Sequence, residues 1–483
     1  MNTQLGEERN LTMLTDLYQL TMMYGYYKCG CENQEVVFDL FFREIGSRSY
    51  CVMAGTESVM DIVNNLRFDK SDVEYLRSLN MFDDGFLKLL SELRFTGEIY
   101  GMKEGTLVFP REPLIRVKAP ILQAQLLETA LLNVVNHQTL IATKASRVQE
   151  AAGDDLVMEF GLRRAQGPDA GVYGARAAVI GGCGATSNIL AGKLFGIPVA
   201  GTHAHSFVMS FPDEVSAFRA YAQTFPSACL LLVDTYDTIK SGIPNAIQVF
   251  KELRSSGFEP MGIRLDSGDI TYISKKAREM LDEAGFPNAK ICASSDLDEF
   301  VIRELKMQGA AVNSWGVGTR LITSSDVPAL GGVYKMSAEN VDGVLVPKIK
   351  LSENPIKVTY PGYKKVVRLY RKRNGMAIAD LIAMNDEVID ETKPLRLYHP
   401  EYRYKSMLVD DFYSRDLLVP LFVNGKQVYS EPSLDEICEY ARAEKSTFWG
   451  EYRRLMNPDI FKVDMSDKLY SLKEHLIAEI RGE

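Results

Sequence analysis

CLLLVD (229–234), IPNAIQVFKELRSSG (243–257), MGIRLD (261–266), DITYISKKAREMLDEAG (269–285), AKICASS (289–295), DLDEFVIRELKMQG (296–309) and AAVNSWGVGT (310–319) follow one another along the chain. Short apolar runs alternate with longer amphipathic ones. Each amphipathic run stops at a glycine, Gly257, Gly285 or Gly309, the residue that most readily closes a helix. The apolar runs end at Asp234, Asp266, Ser295 and about Trp315, 20 to 32 residues apart. That spacing predicts strand–helix repeats and a parallel sheet or barrel. The polar residues gather where the strands end: Asp234, Arg264 with Asp266, Ser294 with Asp296, then Gly316 to Thr319. In such sheets those ends share one face, and active sites lie there.

Outward from this region the rhythm changes. Toward the N-terminus, LTDLYQLTMMYGYY places Thr15 or Asp16 as the cap of a helix, VVFDLFFRE (36–44) reads as a strand, and EIYGMKEGTLVFPREPLIRVKAP (98–120) reads as strands broken by Gly and Pro turns. This predicts an α+β N-terminal domain over 1–120, an α/β barrel over 121–336, and a C-terminal extension over 337–483, with part of 340–400 completing the first domain. In the last region KVTYPGYKKVVRLYRKRNG carries seven basic residues and no acid. It is read either as an anion-binding patch or, with more weight, as the solvated face of a hairpin turning near Asn374-Gly375.

The 483 residues include 55 Lys plus Arg against 64 Asp plus Glu, a formal charge of −9 that argues against a nucleic-acid binder. No apolar run is long enough to span a membrane, and the N-terminal MNTQLGEERN lacks the basic start and apolar stretch of a signal peptide. Seven cysteines, an odd number without a CxxC pair, read as reduced thiols of a cytoplasmic protein.

Several motifs carry chemistry. In GIPVAGTHAHSFVMSF an apolar strand runs into Gly201-Thr202, then His203, His205 and Ser206. The histidines are two apart, so a general base, a metal ligand, a phosphorylated nucleophile and a pair of hydrogen-bonded turn histidines all remain open. In GIRLDSGD, period-two geometry aims Arg264 and Asp266 to one side of a strand end. The guanidinium suits a carboxylate or phosphate, and the carboxylate suits a sugar hydroxyl, a developing cation or magnesium; a plain ion pair serves equally. NSWGVGTRL offers Gly316, Gly318 and Thr319 as an anion cradle without matching a Walker A loop. EFGLRRAQGPDAG places Arg163 and Arg164 after a strand end at Phe160, and VIGGCGATSNILAGKLFG turns into a helix capped by Ser187 or Asn188.

The ordered set TDLYQLTM (15–22), FGLRRAQGPD (160–169), ATSNILAGKLFGIPVAGTHAHSF (185–207), LLVDTYDT (231–238), GIRLDSGD (262–269) and VGTRL (317–321) resembles the nicotinate phosphoribosyltransferase family. The resemblance runs from about residue 11 to 336 and continues more weakly beyond. It implies an irregular (β/α) barrel of the type II phosphoribosyltransferase kind. It implies joining of nicotinate to phosphoribosyl pyrophosphate, coupled to ATP hydrolysis, in a homodimer with active sites at the interface. It further implies His205 as the phosphorylated histidine and Arg264 with Asp266 at the pyridine and ribose. Phe160 and Tyr18 would sandwich the ring, Tyr18 from the second subunit with Asp16 beside it. Thr202, Arg163 and Ser206 fall on the nicotinate side, Ser295 and Asp296 border the ribose, and Gly316, Gly318 and Thr319 cradle the 5′-phosphate. Mg²⁺ is expected to be held mainly by substrate phosphates. A nicotinamide- or quinolinate-using relative and a catalytically inactive nucleotide-binding barrel are the alternatives.

Overall fold

The structure is a computed structural model that describes residues 9–46 and 48–482. The first eight residues, most of the polar N-terminus read above, lie outside the described residues. The chain divides into two compact units, one of residues up to Leu140 with those from Ala329 onward, the other Ile141–Pro328.

The Ile141–Pro328 unit holds the predicted strand–helix series. Its six strands, Leu156–Glu159, Ala185–Thr186, Leu230–Leu232, Gly262–Leu265, Lys290–Ala293 and Ser314–Val317, are all parallel. In space the order is Ala185–Thr186, Leu156–Glu159, Ser314–Val317, Lys290–Ala293, Gly262–Leu265, Leu230–Leu232. The sheet does not close on itself, so the barrel is a half-barrel. The strands are apolar because helices cover them: Leu231, Ile263, Ile291 and Trp315 are at most 1% exposed. The helices start where local chemistry dictates. Asp269 accepts from the Tyr272 N–H, Asp298 from those of Phe300 and Val301, and Asn188 from that of Ala191. The helices Ile243–Ser255, Ile270–Glu283 and Glu299–Met307 match the predicted runs.

The other unit is built on mainly antiparallel sheets, with one parallel pair, Ala377–Met384 beside Val463–Met465. A seven-stranded sheet is ordered Val344–Pro347, Gly332–Val341, Glu35–Phe42, Ile115–Pro120, Glu98–Met102, Leu418–Val423, Lys426–Gln427. Residues from both chain ends interleave in it, since Leu418–Val423 pairs with Glu98–Met102. A six-stranded sheet contains the predicted hairpin, Lys364–Arg371 against Ala377–Met384, with Gly375 at φ +69° in the turn. Two of the seven basic residues in that stretch differ from both readings given to them. Lys364, buried, donates to Asp39 at 2.7 Å, and Arg368, fully buried, pairs with Asp380 at 2.6 Å and with Glu444. These two form interior ion pairs, whereas Lys357, Lys372 and Arg373 are exposed, as the solvated-face reading expects.

Among the described residues no helix is long and apolar enough to cross a membrane. Among the described residues none of the seven cysteines is joined in a disulfide; Cys51, Cys183, Cys229 and Cys292 are buried, whereas Cys29 is exposed.

Candidate active site at the strand ends

Arg264 is the hub of the half-barrel's carboxyl face. It sits on the Gly262–Leu265 strand, and each of its three nitrogens has a different partner. Nε donates to Ser294 Oγ at 2.8 Å, Nη1 to Thr202 Oγ1 at 3.2 Å and Nη2 to Asp266 Oδ1 at 2.9 Å. Ser294 Oγ donates in turn to Asp266 Oδ1. The guanidinium therefore has a fixed plane, the property that separates arginine from lysine in recognising a planar anion. Its Cζ lies 5.6 Å from the centre of the Phe160 ring.

Asp234 joins from the neighbouring strand. Its Oδ2 accepts from the Asp266 N–H at 2.9 Å and from Ser267 Oγ at 2.7 Å. Its Oδ1 is buried without a hydrogen-bond partner. His205, the first residue of the helix His205–Met209, presents Nε2 3.9 Å from that oxygen and 3.8 Å from Asp266 Oδ2. Its Nδ1 lies 3.2 Å from Thr235 Oγ1, which fixes the ring, and the side chain is 41% exposed. A buried, unsatisfied carboxylate oxygen beside a second carboxylate is a donor set that fits a hard divalent cation such as Mg²⁺.

His203 separates cleanly from His205. It is buried against Phe207, Phe218 and Tyr221, and its Nε2 accepts from the Leu232 N–H at 3.2 Å. Burial pushes its pKa down to about 4, so the ring is neutral. It ties the histidine loop to the strand that leads to Asp234.

Phe160 follows the Leu156–Glu159 strand, and its N–H donates to Val317 O at 2.8 Å. Its ring lies over Gly316, where an added Cβ would come within 2.5 Å of the ring. Gly316 thus leaves room for an aromatic platform. Gly318 and the exposed Thr319 open the short helix Thr319–Ile322. Arg163 is exposed on the turn Leu162–Arg164, and Ser206 is exposed on the histidine helix. Ser295 and Asp296 are exposed after the Lys290–Ala293 strand, with Ser295 at φ +112°, a strained conformation for a residue with a side chain. The serine that reaches the Arg264–Asp266 pair is Ser294. Asp234, Ser294 and the buried Glu159 were not among the predicted site residues; the strand-end polarity contained the first two, and Glu159 left no signal.

Tyr18 and Asp16 belong to the other unit. Tyr18 is half exposed on the helix Leu17–Lys28. Asp16 occupies the N-cap position, but its Oδ2 accepts from Thr129 Oγ1 at 3.0 Å and not from the helix.

The strand ends of the parallel half-barrel thus bring an anchored arginine, two aspartates and a phenylalanine ring to one face. Comparisons with known proteins supply the family. Residues 13–136, 156–390 and 363–473 match the models for the nicotinate phosphoribosyltransferase (NAPRTase) N-terminal domain, family and C-terminal domain. The chain is 48% identical over 477 residues to the nicotinate phosphoribosyltransferase of Bacillus subtilis, covering 99% of this chain and 97% of that one. It is 37% identical to that of Caenorhabditis elegans, covering 95% and 92%. The crystal structure of human nicotinic acid phosphoribosyltransferase superposes with a TM-score of 0.86 at 31% identity, covering 96% and 99%. The nicotinate-nucleotide pyrophosphorylase of Pyrococcus furiosus, at 22% identity and a TM-score of 0.71, shares the fold. This chain belongs to the nicotinate phosphoribosyltransferase family.

Proposed function

We infer that this protein joins nicotinate to phosphoribosyl pyrophosphate, giving nicotinate mononucleotide and pyrophosphate, with ATP hydrolysis coupled through phosphorylation of His205. The observation that carries the reading is the Arg264–Asp266 pair, 2.9 Å apart, beside the Phe160 ring and with His205 3.8 Å from Asp266. The pyridine nitrogen is the nucleophile, so no side chain need supply one. Phe160 stacks the flat ring, with Tyr18 of a second subunit closing the other side and Asp16 beside it. Arg264 faces the nicotinate carboxylate, supported by Thr202 and Arg163, with Ser206 at the edge. A carboxamide leaves that guanidinium poorly matched, which disfavours nicotinamide.

Attack at the anomeric carbon gathers positive charge on the ribose, which the Asp266 carboxylate stabilises. Ser295 and Asp296 border the sugar, and Gly316, Gly318 and Thr319 receive the 5′-phosphate. In the coupled step His205 takes the γ-phosphoryl group of ATP and releases ADP; water later frees phosphate. A phosphoryl dianion on Nε2 would stand beside Asp234 and Asp266. That juxtaposition needs a divalent cation, and the unsatisfied Asp234 Oδ1 with Asp266 would help hold Mg²⁺ whose other ligands are substrate phosphates. Bound there, Mg²⁺ supplies charge stabilisation for the departing pyrophosphate. The reading makes the protein a cytoplasmic homodimer acting in NAD biosynthesis.

The test is γ-labelled ATP with protein and Mg²⁺. Acid-labile, base-stable label on the wild type, absent from His205→Asn, with ATP no longer stimulating product formation in that variant, is the expected result. Full ATP stimulation in His205→Asn would remove the phosphohistidine from the account.

A further inference from the structure

We propose that Glu159 is the positioning residue for the pyridine-binding platform, holding the Phe160–Arg163 segment through the Gly161 amide. The inference rests on the reading that Phe160 meets the substrate ring. Glu159 ends the Leu156–Glu159 strand and is fully buried. Its Oε1 accepts from the Gly161 N–H and its Oε2 from Thr186 Oγ1 at 2.6 Å. The carboxylate thus reaches past Phe160 to grip the residue on its far side. It also links that turn to the neighbouring Ala185–Thr186 strand, whose next residue, Ser187, donates its N–H to Glu159 O at 2.9 Å.

The grip is closed sterically as well. A Cβ at Gly161 would sit 2.5 Å from Ile322 Cβ and 2.9 Å from Glu159 Oε1, so the backbone there is pressed against both. On the other side the Phe160 ring fills the space over Gly316, within 2.6 Å of where a Cβ would stand. Phe160 is therefore clamped between a strand-side gap and a buried carboxylate anchor. Burial raises the Glu159 pKa while its two donors lower it, as expected of a carboxylate kept in an apolar site by directed hydrogen bonds. The Leu162–Arg164 turn begins at Gly161, so the same anchor sets where Arg163 emerges.

A glutamine keeps an acceptor for the Gly161 amide, an alanine keeps none, and Thr186→Val removes one of the two donors. In Glu159→Ala, KM for nicotinate should rise about tenfold or more, since displacement of a binding group by ~1 Å costs on the order of a hundredfold in favourable cases. KM for phosphoribosyl pyrophosphate should rise clearly less than that for nicotinate, because its cradle meets the segment only where Phe160 packs on Gly316 and Gly318. Thr186→Val should fall between, and Glu159→Gln should return toward wild type. Amide exchange at residues 160–163 should quicken in Glu159→Ala and Thr186→Val, a readout independent of turnover. Folded Thr186→Val and Glu159→Ala proteins with unchanged nicotinate KM and unchanged exchange would overturn the proposal, as would parallel loss for both substrates in all three variants. A wild type that never uses nicotinate would refute the activity reading alone, since the exchange experiment still decides whether Glu159 holds this turn.

Discussion

Replacing Arg264 with lysine keeps the positive charge and removes the geometry. The guanidinium donates from three nitrogens to Ser294, Thr202 and Asp266, at 2.8, 3.2 and 2.9 Å. A lysine ammonium is one point on a flexible stem and cannot meet three partners spread around a plane. At least two of the three bonds are lost, and Thr202 and Ser294 are no longer directed toward the site. Hydrogen bonds to charged groups contribute about 1.5–3 kcal/mol each when buried. Arg264 and Asp266 are 17% and 32% exposed, so solvent screens part of that. A loss of about 2–3 kcal/mol in transition-state binding follows, roughly 30- to 150-fold in kcat/KM for nicotinate at saturating phosphoribosyl pyrophosphate. Steady-state kinetics and a melting curve separate this from unfolding, because the position lies at a partly open strand end and Tm should move little. An Arg264→Lys enzyme within threefold of wild type would show that charge alone suffices and that the three-point anchoring is irrelevant to catalysis.

Gly316→Ala pushes a methyl into the Phe160 ring at 2.5 Å, so nicotinate KM should rise and stability should fall by about 1–3 kcal/mol of overpacking, read by kinetics and thermal unfolding together. His203 has a folded pKa of about 4 against 6.5 when free, so the unfolded chain binds more protons between those values and stability is lost as pH falls from 6.5 toward 4. His203→Gln should flatten that part of the stability–pH curve, and an unchanged slope would place the titration elsewhere. Arg368→Met strips the cation from buried Asp380, leaves Glu444 only Arg415, and should cost about 3–5 kcal/mol in urea unfolding. A neutral Arg368→Met would mean that the apolar replacement compensates for the broken pairs.

What could be read in the sequence was local. The strand ends at Asp234 and Asp266 and the helix stops at Gly257, Gly285 and Gly309 follow from patterns of a few residues, and they appear where expected. Period-two geometry put Arg264 and Asp266 on one side, and their ion pair confirms it. What could not be read depended on partners distant in the chain. Lys364 looked like part of a basic run because its partner Asp39 is 325 residues away. Arg368 finds Glu444 at a separation of 76. Ser294 and Ser295 are adjacent, and only the exact end of the strand decides which one turns toward Arg264. The seven-stranded sheet draws neighbours from both ends of the chain, which no local pattern encodes. Glu159 left no signal in the sequence, because its meaning lies in Gly161 and Thr186 closing around it.

The central claim is that the strand-end face selects a pyridine carboxylate as acceptor of the phosphoribosyl group. The most direct measurement is a product assay with purified protein, Mg²⁺ and phosphoribosyl pyrophosphate, supplied with nicotinate, nicotinamide or quinolinate, each with and without ATP. The account predicts nicotinate mononucleotide and pyrophosphate from nicotinate, formed faster with ATP and accompanied by ADP, and little product from nicotinamide. Nicotinamide used as well as nicotinate, carbon dioxide released from quinolinate, or no product from any of the three would contradict it.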